Sequence, residues 1–408
     1  MTSPWRTDVE PRWDLNTPEF AADPHQAYRA MRERHGALVP VWLAPGVPAT
    51  LVIGYRHAVQ ILADDEHFPA DPRVWQRGVP DECPVRPLLE HRDNALRTAG
   101  EEHRRYRTSV VAALESVDRF AVEKAVDRAA EELINRFCAV GEAELVGGYA
   151  LPLSFGVMCE LLGLPDAAAR QAWAEMAAIL DGVHGAGERF AAGLYEVVRS
   201  KRAALGGDMM SRLITHPAGL TDEEMVAQTA LLLGPGTEPM ANLITNAVRL
   251  VLVDERFAGG VLGGALELGD AIDTVLFEDT PLPNFCMKYP RHPILIDGVW
   301  LPAHQPVVIS MAACNNDPAV SVGDRWGNRS HLSWGGGDHQ CPASAQTIAR
   351  IAIHRALGQL FDALDLQLVP DRPPVWRPGV FHRALAVLWV RFTPSAPMNL
   401  AMPPQIAR

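Results

Sequence analysis

The sequence lacks the features that mark several large classes of protein. Its 408 residues carry a net charge of −12, and a chain this acidic is not expected to bind nucleic acid. No run of residues approaches the ~18 apolar residues that a membrane span needs, and the first residues contain no apolar signal core. We therefore expect a cytoplasmic protein that binds neither a membrane nor nucleic acid.

Closely spaced cysteines and a nucleotide-binding glycine motif are also missing. The six cysteines include no Cys-x-x-Cys pair, so a disulfide framework is not expected. No Gly-x-Gly-x-x-Gly opens a helix after a strand, so no nucleotide-binding reductase domain is expected either. Hydrophobic residues make up 48% and charged residues 21% of the chain, which is typical of a globular protein with a large core.

The most informative stretch of the chain lies at residues 331–345. Three consecutive glycines, Gly335 to Gly337, allow positive φ and close approach to a neighbouring group. Cys341 follows, and a helical pattern of apolar residues begins after it. A cysteine at a helix start is placed where free N–H groups and the helix dipole favour a thiolate. Such a thiolate is a suitable axial ligand for haem iron.

Two other interpretations of this stretch remain open from the residues alone. The glycines could form a surface turn before an ordinary helix, with Cys341 as a small buried hydrophobe. Alternatively, the side chains of this stretch could bind zinc. The candidate zinc ligands are His331, Asp338, His339 and Cys341.

The stretch resembles the cysteine-ligand loop of the cytochrome P450 family, the haem-thiolate monooxygenases. The resemblance rests on an aromatic residue, two glycines, a histidine and the cysteine at the family's spacing, namely Trp334, Gly335, Gly337, His339 and Cys341. Trp334 stands where the family usually has Phe, and Ala343 where it usually has Gly. The resemblance implies a haem b cofactor with Cys341 as iron ligand, His339 on a propionate, and the loop residues against the haem.

A basic pair at the start of an earlier helix fits the same interpretation. His103 and Arg107 are four residues apart and therefore share a helix face. In the family this pair points at a haem propionate, and Lys288 or Arg291 stands where a second propionate partner is expected. Without the resemblance, the pair would be interpreted as a solvated basic face.

Two further arginines on this helix, Arg104 and Arg105, point away from that pair. They could form a docking patch for an acidic electron donor of the ferredoxin type, or be ordinary surface charge. A separate donor is expected because the chain has no reductase domain.

A long helix is predicted to begin at the capping box Thr221–Glu224 and to run to about residue 253. The glycines and prolines at residues 234–239 should distort it, as in the family's oxygen-binding helix. Pro239 stands where the family has threonine, so Glu238 is the expected proton-relay acid and Thr237 lies one residue early. Alternatively, Glu238 could simply be satisfied by free N–H groups of a kinked helix.

The Glu-x-x-Arg motif of the family's K helix is absent. Thr274 and Phe277 occupy its positions, and no Lys or Arg lies between Arg256 and Lys288. We predict a substitute in which Arg329, rather than the motif, bonds to K-helix carbonyls or to an acid of that helix end. The candidate acids are Glu278 and Asp279, and Arg325 is the other nearby basic residue.

The coarse pattern predicts a mainly α protein with small β sheets, the cytochrome P450 fold, as a single haem-binding domain over residues 1–408. Two strands should meet at the Pro45-Gly46 turn, a hairpin should form about Asp297-Gly298, and residues 384–392 should form a closing strand.

The leading functional hypothesis is a monooxygenase that inserts one oxygen atom from O2 into a small, secondary-metabolite-like substrate with electrons from a separate ferredoxin and reductase. The alternatives are a degenerate haem protein acting as a sensor or regulatory partner, and a peroxide-driven oxidase. The sequence does not indicate the substrate.

Overall fold

A computed structural model describes residues 12–180, 183–258, 267–320 and 329–398. The α-helices are Pro18–Ala22 (α1), Pro24–His35 (α2), Tyr55–Ala63 (α3), Arg86–Leu89 (α4), Gly100–Glu115 (α5), Arg119–Asn135 (α6), Leu151–Leu162 (α7), Asp166–Leu180 (α8), Ala186–Ala203 (α9), Met209–Thr215 (α10), Asp222–Val253 (α11), Glu255–Ala258 (α12), Leu268–Glu278 (α13), Met311–Asn315 (α14) and Ala343–Ala363 (α15). The strands are Trp13–Asp14 (β1), Leu38–Ala44 (β2), Val47–Val52 (β3), Glu142–Glu144 (β4), Cys286–Lys288 (β5), Ile294–Ile296 (β6), Val299–Leu301 (β7), Val307–Ile309 (β8), Gln367–Leu368 (β9), Val375–Trp376 (β10), Leu385–Val387 (β11) and Trp389–Arg391 (β12). None of the described helices is both long and apolar enough to cross a membrane.

The chain divides into two compact units. The first comprises Met1–Arg107, Asp273–Cys341 and Trp376–Ala384, and the second comprises Thr108–Ile272, Pro342–Val375 and Leu385–Arg408, within the described ranges. The single domain over residues 1–408 stays a prediction.

A five-stranded sheet frames the first unit, in the order β1-β2-β3-β8-β5. Successive residues of a strand point to opposite faces, and both faces are buried here. Val39 and Val41 pack into one apolar cluster with Met31 of α2, while Leu38 packs into a second cluster with Leu62 of α3. The sheet therefore fixes the position of α3, and α3 packs against the loop before Cys341.

The two predicted turns of this unit are confirmed. β2 and β3 are joined at Gly46, with φ of 77°. β6 and β7 are joined at Asp297 and Gly298, with φ of 46° and 79°. Two consecutive positive φ values are what a type I′ hairpin turn requires.

The second unit is built around the long helix α11, which contacts α7, α9 and α15. It begins with the predicted capping box, in which Thr221 and Glu224 bond to each other's backbone N–H groups. The predicted extent is confirmed, because the helix continues through Pro235 and Pro239 to Val253, and the distortion expected at residues 234–239 stays a prediction. Gly236 allows the approach of α7, since a Cβ there would lie 2.7 Å from Cε of Met158.

The rest of the second unit is mainly helical, as the sequence predicts. A small sheet in the order β4-β12-β9 accompanies the helices. The predicted closing strand at 384–392 is divided into two, Leu385–Val387 and Trp389–Arg391.

Candidate functional site

The loop before Cys341 depends on its glycines. Gly335 and Gly337 have φ of 73° and 65°, values that favour glycine. A Cβ on Gly337 would lie 1.9 Å from the carbonyl oxygen of Leu62 at the end of α3, so no other residue fits. The backbone N–H of Cys341 closes the loop by donating to the carbonyl of Trp334 at 2.8 Å.

The Cys341 thiol is placed to bind a metal but not to ionise by itself. Burial raises the pKa of Cys341 to about 11, although the Arg107 guanidinium acts in the opposite direction. The free-energy cost of burying a charged thiolate is thus larger than the stabilisation that the sequence led us to expect from the helix start. A metal ion must therefore displace the proton when it binds the sulfur.

Two histidines stack beside the loop. The rings of His103 and His339 have centroids 3.9 Å apart, and His339 Nε2 donates to the carbonyl of Thr98 at 2.8 Å. Burial lowers the pKa of His103. Burial, Lys288 and His103 together lower the pKa of His339 to about 3. Burial thus favours the neutral form of both rings.

Of the two candidate cations near β5, the structure brings one to this cluster. Lys288 is 1% exposed, and its Nζ lies 2.9 Å from Oδ1 of Asp65. Arg291 is exposed and its Nε donates to the carbonyl of Glu66 at 2.8 Å. Asp65 was missed by the sequence analysis, because it follows α3 among other acids and nothing in its neighbourhood marks it.

Arg107 bonds directly to the cysteine loop. Its guanidinium donates to the carbonyl of Gln340, the residue before Cys341, and burial lowers the pKa of Arg107. The structure therefore brings His103, Arg107, His339 and Lys288 around the cysteine loop.

The cluster fits the haem that the sequence predicts. Buried polar atoms are normally paired, yet His339 Nδ1 and Trp334 Nε1 are buried without a hydrogen-bond partner. Because His339 Nε2 is the donor, its Nδ1 carries a lone pair and needs a proton before it can bind a propionate. A thiol for iron and cations for carboxylates are present together in one unit.

The zinc alternative is not supported. Among the described residues, only His91, Asp93 and Glu102 bring three potential ligand atoms within 4.8 Å of one another. None of the four residues named as zinc ligands belongs to that group.

Neutral side chains replace the missing K-helix motif. At the end of α13, Asn315 Nδ2 and Ser333 Oγ both donate to the carbonyl of Leu276, the former at 3.1 Å. Asn316 Nδ2 donates to the carbonyl of Phe277 at 3.1 Å. Asn315 Oδ1 also accepts from the backbone N–H of Leu332 at 2.7 Å, so one side chain connects the helix to the chain just before Trp334.

The partner predicted for Arg329 is therefore wrong. Its Nε lies 3.3 Å from Oδ2 of Asp273, and 71% of the side chain is exposed. Asp279 pairs instead with Arg383 at 2.8 Å. Arg325 lies outside the described residues.

The candidate relay residues belong to the second unit. Thr237 is buried and its hydroxyl donates to the carbonyl of Leu233 at 2.7 Å in its own helix. Glu238 is half-buried. Their predicted catalytic roles stay predictions.

Of the two predicted docking arginines, Arg104 is exposed and Arg105 is half-buried, and both already interact. Arg104 forms an ion pair with Glu101 on the same helix, and the Arg105 guanidinium lies 5.3 Å from the ring of Tyr106. Their role toward an electron donor stays a prediction.

Comparison with known proteins gives consistent relatives, although no family model matches the chain. It is 28% identical over 392 residues to cytochrome P450 monooxygenase PikC of Streptomyces venezuelae, covering 92% of each chain. It is 26% identical over 402 residues to 6-deoxyerythronolide B hydroxylase of Saccharopolyspora erythraea, covering 93% of this chain and 98% of that protein. The structure of CYP154C4 from Streptomyces sp. ATCC 11861 superposes with a TM-score of 0.83 at 27% identity, covering 96% of this chain and 100% of that one.

Proposed function

We propose, from the premise that the chain belongs to the cytochrome P450 family and carries haem b, that it inserts one oxygen atom of O2 into a small organic substrate. The observation that carries the proposal is the glycine loop that positions Cys341 beside the buried cation and histidine cluster. When haem is bound, its iron supplies the chemistry that activates oxygen.

The residues of the first unit are proposed to hold the cofactor. Cys341 gives up its proton and ligates the iron, and Arg107 binds one propionate with a charge-assisted hydrogen bond. Lys288 is the sequence-based candidate for the second propionate, but Asp65 already pairs with it. Trp334 and the loop glycines lie against the cofactor.

Proton delivery is proposed to depend on Glu238. The hydroxyl of Thr237 is engaged with its own helix, and Pro239 has neither a hydroxyl nor an N–H. Glu238 is therefore the titratable group of this segment, and it transfers protons together with water.

Electrons are proposed to come from a ferredoxin-type protein that docks near Arg104 and Arg105. One relative acts on 6-deoxyerythronolide B according to its name, and we propose a substrate of secondary-metabolite type. The cytoplasmic location stays a prediction from the sequence.

The test is turnover of the purified protein with NADPH, a ferredoxin and its reductase on a panel of such compounds. Hydroxylated product with this electron supply supports the proposal. Product with hydrogen peroxide alone identifies a peroxide-driven oxidase. The occupied Thr237 hydroxyl and Pro239 favour a second candidate, a haem protein with a sensing or regulatory role, and a red-shifted carbonyl band without turnover under either supply would support it.

A further inference from the structure

Arg97 is a buried cation without an acidic partner. Its side chain is among the polar groups of the core, with 3% exposure. Nη2 donates to the carbonyl of Leu88 at 2.6 Å, and the guanidinium lies 5.3 Å from the ring of Phe285. Among the described residues, no carboxylate pairs with it. A buried charge normally has a charged or metal partner, and a guanidinium has five N–H donors, so Arg97 has capacity for an anion.

Arg97 lies near the cysteine loop. Cys286 and Lys288 are two residues apart on β5 and therefore share a face. Both Lys288 and Arg97 act to lower the pKa of Cys286, against the larger effect of burial. The Cys286 sulfur lies 3.4 Å from the position of a Cβ on Gly335. Arg97, which lies over the ring of the neighbouring Phe285, thus packs on the β5 segment that contacts the loop glycine.

The charges of this cluster leave two cations uncompensated. Asp65 pairs with Lys288 at 2.9 Å, and the same carboxylate oxygen lies 3.5 Å from Nδ1 of His339. Arg97 and Arg107 remain, and neither has a carboxylate within ion-pair distance in the described part of the chain. Haem b carries two propionates, which matches this excess.

We propose that Arg97, rather than Lys288, supplies the second propionate-binding cation, because Asp65 neutralises Lys288. The inference rests on the haem site of the proposed function. The inference can nevertheless fail separately from the proposed function, because a variant can keep the thiolate carbonyl band and still release haem faster.

The first measurement is transfer of haem from the purified holoprotein to excess apomyoglobin, followed in the Soret region. Arg97→Gln should accelerate release roughly 10- to 100-fold, the range expected for loss of one charge-assisted hydrogen bond. Arg97→Lys should release haem at an intermediate rate, because it keeps the charge but not the fork geometry. Arg92→Gln is the exposed control, since Arg92 pairs with Glu90, and it should leave the rate unchanged.

The second measurement removes the acidic partner of Lys288. Asp65→Asn should slow haem release, because it frees the Lys288 charge, and the double variant Asp65→Asn/Arg97→Gln should return toward the natural rate. If Arg97 only supports the fold through Leu88 and Phe285, the double variant will lose haem as fast as Arg97→Gln, which overturns the proposal.

Two further outcomes also overturn it. Where Arg97→Gln does not fold, an Asp65→Asn variant that releases haem at the natural rate contradicts the neutralisation of Lys288. Arg97→Gln that keeps the natural release rate but loses the Soret shift produced by decanoate would assign Arg97 to an anionic substrate instead.

Discussion

At Cys341, burial favours the protonated thiol, whereas bound iron would favour the thiolate. The thiol has a pKa of about 11, so the axial bond forms only if iron binding offsets the cost of deprotonation. Cys341→Ala should abolish the red-shifted carbonyl Soret band of thiolate ligation. Cys286→Ala is the matched control, since Cys286 is a half-buried thiol of β5 that lies beside Gly335 of the loop but is not a proposed ligand. A surviving band in Cys341→Ala would refute the assignment.

Arg107 gives a second prediction at the residue scale. A charge-assisted hydrogen bond contributes roughly 1.5–3 kcal/mol, so Arg107→Ala should release haem to apomyoglobin at least about tenfold faster. Arg104→Ala, on the same helix but exposed and paired with Glu101, should not change the rate. Equal rates for the natural protein and Arg107→Ala would make Arg107 a surface residue.

His103 predicts a pH dependence of stability. Its pKa is lowered in the folded chain by burial, so the unfolded chain binds the proton more readily. The free energy of unfolding should therefore fall as the pH drops below the unfolded value of about 6.5. His103→Gln should flatten this part of the profile, measured as urea midpoints at pH 7.5 and pH 5. Parallel profiles for the two proteins would count against a buried neutral His103.

At the scale of elements, the end of α13 is held by amides and a hydroxyl. Asn315→Ala removes the amide that bonds the Leu276 carbonyl and the Leu332 N–H. An unsatisfied buried backbone group costs about 1–3 kcal/mol, and the denaturation midpoint should fall accordingly. Arg329→Ala removes an exposed ion pair of about 0–1 kcal/mol and should have little effect. A larger loss in Arg329→Ala would reverse this assignment.

At the scale of the whole molecule, we expect the helix α11 to determine how the protein uses electrons. Because Pro239 supplies no donor, we expect most reducing equivalents to appear as hydrogen peroxide. Pro239→Thr should raise the product formed per NADPH consumed, whereas Pro239→Ala, which restores the helix N–H without a hydroxyl, should not. Tight coupling in the natural protein would show that Pro239 does not limit the relay.

The sequence predicted local structure better than distant contacts. The turns at Gly46 and Asp297-Gly298, the capping box of α11 and the glycine loop all follow from neighbouring residues. Asp65 could not be predicted to pair with Lys288, because the two residues are 223 positions apart and neither lies in a motif. The extent of α11 was likewise predicted from local signals, because the helix runs without interruption through Pro235 and Pro239.

The uncharged hydrogen bonds at the end of α13 affect how this junction responds to pH and salt. Asn315, Asn316 and Ser333 keep the same protonation state at every pH, and dissolved ions do not screen their short amide and hydroxyl bonds as they screen exposed charges. A carboxylate–guanidinium pair at this place would lose strength in acid. In this chain, these hydrogen bonds between α13 and the backbone before Trp334 are therefore insensitive to ionic strength and acidity, unlike the exposed ion pair of Arg329 with Asp273.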